Sequence, residues 1–339
     1  MARRARMREA GPLALAVLLA GLACVPGMAR AGDESAGTRA AAYLTQGGGP
    51  AVLAMGGAAI GGGEGLQAAS WNVAALSGAG PMQLYFAHAL VGDGGTQGWA
   101  SAGGRLRGGA TRWALTATFR DEGVILGRDA HDQPTGDVSA NALALGVQLA
   151  RPFGERFALG AGTRVVTEAI ADERGLGLAF DAGAQARFGM LRLGISGRDF
   201  GGGMRWVGQR WRMPASFGAG LALVHAPSGV TLALDGVAPA NYYRSIRAGA
   251  EWAIRERIAL RGGYRTELGA QADEPLTGPT FGLGARAGLA WVDYAVVIAG
   301  NGESSHRFAL SLRRSGGVHA PSAVAPVRTP FGPEPPPVR

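Results

Sequence analysis

Lysine is missing from this sequence; all 33 basic residues are arginine. Cysteine is nearly missing, since Cys24 stands alone. One cysteine builds neither a disulfide framework nor a cysteine-ligated metal site. The five histidines, His88, His131, His225, His306 and His319, are widely scattered. None pairs with another at metal-ligand spacing, so no metal and no cofactor is expected. Long apolar runs are also missing after the first thirty residues. No later stretch offers about 18 uncharged apolar residues, which excludes a membrane-spanning helix. Catalytic signatures are lacking too. Gly194-Ile195-Ser196-Gly197 does not have the spacing of a nucleophile elbow. The glycines Gly56, Gly57, Gly61, Gly62 and Gly63 precede no βαβ unit and no Gly-Lys-Ser/Thr, so a nucleotide loop is not indicated. Close backbone packing explains them better. The chain does not read as an enzyme.

What is present begins with an export signal over residues 1–31. Arg3, Arg4, Arg6 and Arg8 form a basic region, Gly11 to Ala23 an apolar stretch, and Ala29-Arg30-Ala31 a small-x-small cleavage pattern. The apolar stretch is too short to span a bilayer as a helix, which takes roughly 20 residues. Gly21-Leu22-Ala23 before Cys24 is a poor lipobox, so a lipid anchor is not expected. Removing this segment takes away five Arg and Glu9. The remaining 28 Arg and 24 acidic residues leave a charge of +4. That charge is dispersed, so nucleic acid is not an expected partner.

Glycine is abundant, at 58 residues, and hydrophobic residues make up 47% of the chain. Each glycine weakens a helix by roughly 1 kcal/mol relative to alanine, so an apolar chain of this kind favours strands. From Pro81 onward the periodicity is two. Leu176, Leu178, Phe180, Ala182, Ala184 and Ala186 oppose Gly177, Asp181, Gly183, Gln185 and Arg187. Trp113, Leu115, Ala117 and Phe119 oppose Arg112, Thr116, Thr118 and Arg120. Ile246, Ala248, Ala250, Trp252 and Ile254 oppose Arg247, Gly249, Glu251 and Ala253. The last strands repeat this, with Arg261, Arg265, Arg307 and Arg313 on the polar face. Apolar-out, polar-in alternation in segments of about ten residues is the pattern of a membrane barrel.

Fourteen such segments are expected, at 81–90, 96–107, 110–120, 138–150, 156–170, 174–187, 190–198, 212–225, 230–235, 244–254, 257–266, 279–287, 289–299 and 304–313. Long connections at 121–137, 199–211, 236–243 and 267–278 alternate with tight ones such as Gly108-Gly109, Arg255-Glu256 and Gly288. Bacterial barrels segregate loops in this way, with short turns in the periplasm. A soluble β-sandwich or lipocalin-like barrel has no reason to do so. An even strand count places both termini in the periplasm. Trp99, Trp113, Trp206, Trp211, Tyr242, Tyr243, Trp252, Tyr264 and Trp291 fall near strand ends, where they form interfacial girdles or simply favour strands.

The expected fold is all-β: a transmembrane antiparallel β-barrel of about 14 strands over residues 81–314, with a plug-like N-terminal segment. That segment, residues 32–80, is Gly/Ala-rich and lacks alternation. Residues 315–339 form a Pro-rich tail, expected to be disordered and periplasmic.

The N-terminal segment is specific. Ala51-Val52-Leu53-Ala54-Met55-Gly56-Gly57-Ala58 is followed by Ala68-Ala69-Ser70-Trp71-Asn72-Val73-Ala74-Ala75-Leu76. This resembles the opening of the PorV/PorQ family of FadL-like outer-membrane proteins, with Val73 where that family has proline and Ala75 where it has glycine. Glu64 stands where acidic residues are common. Phe157 to Gly160, Ala179 to Gly183, Leu191 to Ser196 and His306 to Leu312 resemble later strands, so the likeness covers about residues 41–313. It implies a fourteen-stranded barrel and a plug formed by residues 41–80, with Met55, Gly56, Gly57, Trp71 and Asn72 as its motif. It also implies one of two activities. FadL-like relatives pass hydrophobic compounds; PorV-type relatives bind components and substrates of type IX secretion.

Two functions follow. The first is an outer-membrane barrel of a diderm bacterium that binds or transports hydrophobic or amphipathic small molecules. Arg112, Arg164, Arg187, Arg247, Arg261 and Arg286 would line its lumen, where they meet carboxylate-bearing ligands or pair with Asp181, Asp235 and Glu251. The second is a component of a protein secretion or envelope complex that binds protein partners at its loops and tail. Outer-membrane lipid is a partner under both.

Overall fold

The computed structural model describes residues 39–91, 94–107, 109–240, 242–269 and 277–313. The expected signal peptide, the first residues of the N-terminal segment and the Pro-rich tail lie outside them. The strands are β1 Met82–Val91, β2 Gly95–Arg105, β3 Arg112–Arg128, β4 Pro134–Phe153, β5 Phe157–Ile170, β6 Glu173–Phe188, β7 Leu191–Trp206, β8 Gln209–Trp211, β9 Ser216–His225, β10 Val230–Pro239, β11 Arg244–Ile254, β12 Ile258–Leu268, β13 Gly278–Ala287, β14 Ala290–Ile298 and β15 Ser304–Arg313. They pair antiparallel in sequence order, and β15 returns to β1 with Phe86 opposite Leu310. The sheet is closed. The short β8 and the longer β9 both pair with β7, so together they form one stave, and the barrel has fourteen. Closure leaves no unpaired edge, which a membrane requires of any sheet.

The alternation sets the two faces of the wall. Leu176, Leu178 and Phe180 of β6 are 60%, 42% and 47% exposed, whereas Asp181 and Gln185 are buried. The same outward apolar row recurs on β4 as Leu143, Leu145, Val147 and Leu149, and on β12 and β13 as Leu260, Tyr264, Phe281 and Leu283. A wall that faces hydrocarbon outside and carries buried polar groups inside is the transmembrane arrangement.

Several expected boundaries move. Residues 121–137 are not a long loop. β3 continues to Arg128 and β4 begins at Pro134, so most of the stretch is a two-stranded ribbon. A bulge between Asp121 and Val124 breaks the register and hides the alternation. The ribbon closes on Asp129, whose carboxylate accepts the amides of His131 and Gln133 at 2.8 and 2.9 Å. Residues 199–211 are likewise mostly strand, since β7 runs on to Trp206 and β8 pairs back onto it. Conversely, the stave expected from 212 begins regular pairing at Ser216, because Met213 and Pro214 turn away from the ladder. β10 extends to Pro239 rather than stopping at 235.

The even strand count leaves the start of β1 and the end of β15 at one end of the barrel, with the tight turns; we call this the turn end, and its opposite the loop end. The chain before β1 does not stay there. The amide of Ala40 donates to the Arg212 carbonyl at 3.2 Å, and that of Ala41 to the Glu168 carboxylate at 3.0 Å. Both partners lie at the loop end. From there residues 41–80 run down through the lumen and leave at the turn end, where Arg112 Nε holds the Ala79 carbonyl at 2.9 Å. The first and last described residues therefore sit at opposite ends, not the same one. Strand parity governs the strands, not the segment that precedes them.

This inner segment is the core of the molecule. Val52, Met55, Val73 and Leu76 are almost fully buried. Each such side chain contributes roughly 1.5–3 kcal/mol on burial. Its regular pieces are short: single α turns Pro50–Leu53 and Leu66–Ala69, and 3-10 turns Ala42–Gln46 and Val73–Gly78. These turns bond within themselves, and between them the wall supplies further partners.

Candidate functional site

The wall grips the inner segment through polar side chains on inward positions. Asp235 of β10 accepts the amides of Ala59 and Ile60 at 2.7 and 2.8 Å. It was expected to pair with an arginine; instead it caps a stretch of chain that has no secondary structure of its own. Thr280 of β13 accepts from the Gly56 amide at 2.9 Å and donates to the Ala54 carbonyl at 3.0 Å. Ser196 donates to the Trp71 carbonyl at 2.6 Å. Gln185 reaches the carbonyls of Ile60 and Gly63.

The residues singled out as a motif sit at the centre of this grip. Asn72 is fully buried and bonds in two directions. Its Oδ1 accepts the Ala74 amide at 3.0 Å, which caps the 3-10 turn, and its Nδ2 donates to the Ile60 carbonyl at 2.9 Å. The turn therefore forms with Val73 in the family's proline position. Gly56, at φ 68°, would place a Cβ 2.5 Å from the Tyr264 carbonyl oxygen. The backbones of Met55 and Gly56 lie directly against Gly249 and Gly263 of the wall. Trp71 is buried beside Gly47 and Gly49.

The six lumen arginines part company. Arg164 holds Asp181 and Asp199, both at 2.7 Å. Arg261 holds Glu251 at 2.6 Å and Asp293 at 2.7 Å, with no exposed surface on any of the three side chains. Arg187 joins Arg192 on Glu64 at 2.9 and 2.7 Å. Arg112 and Arg286 stand at the turn end, on the carbonyls of Ala79 and Ala110 and of Gly288. Arg247 is buried yet lines a cleft.

That cleft, of about 450 Å³, lies at the loop end. Its floor is the inner segment, through Leu53, Gly56, Gly57 and Trp71. Leu90, Val91 and Val297 add apolar wall, and Arg247, Arg265, Arg307 and Glu303 supply charge. Register explains the cluster. On adjacent strands Asp235 is opposite Arg247, and Arg247 is opposite Arg265. Two arginines facing each other directly across a ladder repel. Arg265 is paired with Glu267 at 2.6 Å. Among the described residues Arg247 has no carboxylate within ion-pair distance; its Nε donates to Ser245 Oγ at 3.2 Å. Arg307 donates to the Gly47 carbonyl and lies over the Trp99 ring at 5.7 Å, again with no carboxylate partner among the described residues. Both are at least nine-tenths buried. Buried guanidinium groups without counter-ions are costly and attract an anion. Away from the cleft, where Tyr43 packs against Ala144, Val166 and Met204, burial and the nearby Glu168 push its hydroxyl above its ordinary range.

Sequence reasoning missed Asp199 for a geometric reason. Alternation along β7 puts position 199 outside. A bulge with Asp199 at φ 57° turns it inward, onto Arg164. Asp293 was legible, since it shares an inward face with Trp291 opposite the outward Val292. Trp99 and Trp291 are not girdle residues. Both face inward and are buried, and Trp291 Nε1 donates to Asp293 at 2.8 Å. Trp252 and Tyr264 do face outward. Among the described residues no group of three or more His, Cys, Asp and Glu could hold a metal ion.

No family model matches the chain, and neither does any curated protein. Solved structures do. A deletion mutant of the TodX monoaromatic hydrocarbon channel matches with a TM-score of 0.56 at 13% identity, over 78% of this chain and 97% of that one. The CymD monoaromatic hydrocarbon channel matches with a TM-score of 0.54 at 15% identity, over 78% and 96%. The chain thus shares the fourteen-stranded barrel fold of those channels. The narrower PorV/PorQ likeness rests on the residues quoted above.

Proposed function

We propose that this protein is an outer-membrane barrel that takes up a small amphipathic compound with an acidic head through the loop-end cleft. One observation carries this reading: Arg247 and Arg307 are buried, lack carboxylate partners among the described residues and flank an apolar floor of Leu53 and Trp71. An apolar pocket with a few convergent polar groups is the usual form of a small-molecule site. The fold shared with two hydrocarbon channels supports a transport role, and the unpaired arginines add an acid to the cargo. Residues 41–80 then act as a plug that must yield for passage. The turn end faces the periplasm, as short turns do in bacterial barrels. After export on residues 1–31, the mature chain inserts with β1 and β15 opening to that side.

The test is binding to the purified barrel in detergent. A medium-chain carboxylate should bind more tightly than the alcohol of equal length. An Arg247→Gln/Arg307→Gln variant should weaken the carboxylate about a hundredfold or more, since hydrogen bonds to charged groups contribute roughly 1.5–3 kcal/mol each. The alcohol should be unaffected. Equal loss for both probes would reject the acidic-head reading.

A second reading has its own observation. The ribbon of β3 and β4 beyond Asp121, past the last residue that pairs with β2, exposes Val124 and Leu126 at 70% and 71%. Exposed apolar side chains on a free ribbon fit a protein contact, as a secretion-complex component would need. Loss of secretion with intact uptake, on deleting the ribbon, would favour this reading.

A further inference from the structure

The outward face of the wall is not uniformly bulky. Across β5, β6, β7, β9 and β10, one cross-strand row reads Leu159, Ala184, Ile195, Ala219 and Gly236. The row on the loop-end side reads Ala161, Ala182, Gly197, Phe217 and Ala238. Small residues therefore replace the Leu and Phe that cover the rest of the belt. The result is a trough in the membrane-facing surface. It comprises two adjoining hollows of about 560 and 300 Å³ that share Leu159, Ala184, Ile195 and Ala219. The tilted ring pair Phe200 and Phe217, with centroids 4.7 Å apart, bounds it towards the loop end.

The same row begins on β4 with an arginine. Arg151 pairs opposite Leu159, and it follows Leu145, Val147 and Leu149 on the outward face. It is exposed, forms no ion pair among the described residues, and lies over the Phe153 ring at 5.7 Å. An outward arginine costs about 2–4 kcal/mol at the membrane midplane but about 0–1 near the interface. Arg151 is two residues from its strand's end, so it belongs to the interface. Arg156 is exposed in the adjoining turn, also without an ion pair, and next to it Phe157 packs edge-on against Phe188 at 6.1 Å. Glu155 shares the turn and pairs with neither arginine.

We propose that this trough and its arginines form a site for one glycerophospholipid of the leaflet at the turn end. The phosphate binds Arg151 and Arg156, and an acyl chain lies over Ala184 and Ala219. Hydrocarbon surrounds the wall, so an acyl chain is the occupant at hand, and the two free guanidinium groups select an anionic head. The inference rests on the membrane placement above but not on the cargo of the cleft.

Native mass spectrometry of the detergent-purified barrel, titrated with phosphatidylglycerol, tests it. Wild type should retain one lipid on activation. Arg151→Gln/Arg156→Gln should weaken retention about tenfold, the loss of roughly one charge-assisted contact. Ala184→Leu/Ala219→Leu, which fills the trough but keeps both arginines, should weaken it as well. Loss of gel mobility shift on heating reports whether each variant is folded. Equal retention by folded wild type and both variants would overturn the site. Preferential retention of lipid A would overturn the choice of lipid. A folded barrel that fails to enter vesicles would instead overturn the membrane reading and this site with it, whereas loss of carboxylate binding in the cleft would leave the site standing.

Discussion

Single inward residues carry much of the energy that holds the lumen together. Asp235 is the clearest case, because two backbone amides depend on one carboxylate oxygen. An unsatisfied buried donor costs about 1–3 kcal/mol. Asp235→Ala should therefore lower stability by about 2–5 kcal/mol, read as a lower temperature for loss of the compact gel form. Asp235→Asn keeps an acceptor and should lose clearly less. Arg261 is a second case. Glu251 and Asp293 are both buried against it. Removing one partner of a buried ion cluster costs about 3–5 kcal/mol, because the other charges stay behind. Arg261→Ala should show that loss, and neutralising both acids in the same chain, as Glu251→Gln/Asp293→Asn, should recover part of it. Stability that stays at the wild-type level in Arg261→Ala would show that the cluster is hydrated rather than dry.

At the scale of elements, the molecule separates parts that support one another from parts that do not. The 3-10 turn Val73–Gly78 packs on β5 and β6 and is fixed by Asn72, so Asn72→Ala removes a cap and a clamp together. A cap alone contributes about 0.5–2 kcal/mol. The expected loss exceeds that range, and urea unfolding of the detergent-solubilised barrel would measure it. The ribbon of β3 and β4 is the opposite case. Beyond Asp121 and Ser139, whose carbonyl still takes the Ala171 amide, its two strands pair only with each other. Replacing residues 123–138 with a two-residue Asn-Gly turn should leave the barrel's heat-resistant gel form unchanged. A marked fall would mean that the ribbon folds back onto the barrel.

At the scale of the whole molecule, the barrel is a wall built around a chain. The inner segment supplies the apolar core that a water-filled barrel lacks, and it closes the floor of the cleft. Deleting residues 39–80 should convert a barrel with little conductance into one that passes ions in a planar bilayer. A deletion variant that inserts yet conducts no more than wild type would show that the strands themselves close the lumen.

The sequence by itself determined the class of fold, the number of staves and the faces of each strand. These follow from local rules: a side-chain period of two, and turns that interrupt it. Arg247, Glu251 and Asp181 were legible as inward residues for the same reason. The tertiary structure decided everything that depends on where strands end and bulge. It placed Asp199 inside against its parity, turned two expected loops into paired ribbon, and drew Ala40 and Ala41 to the loop end. It also decided which arginines are spent on carboxylates and which remain free. Alternation says that Arg164, Arg247 and Arg261 all face inward. Only the register between neighbouring strands puts Asp181 beside the first, Glu251 beside the third and another arginine beside Arg247. Register is a long-range property, set by closure of the barrel around its inner segment, and no local pattern contains it.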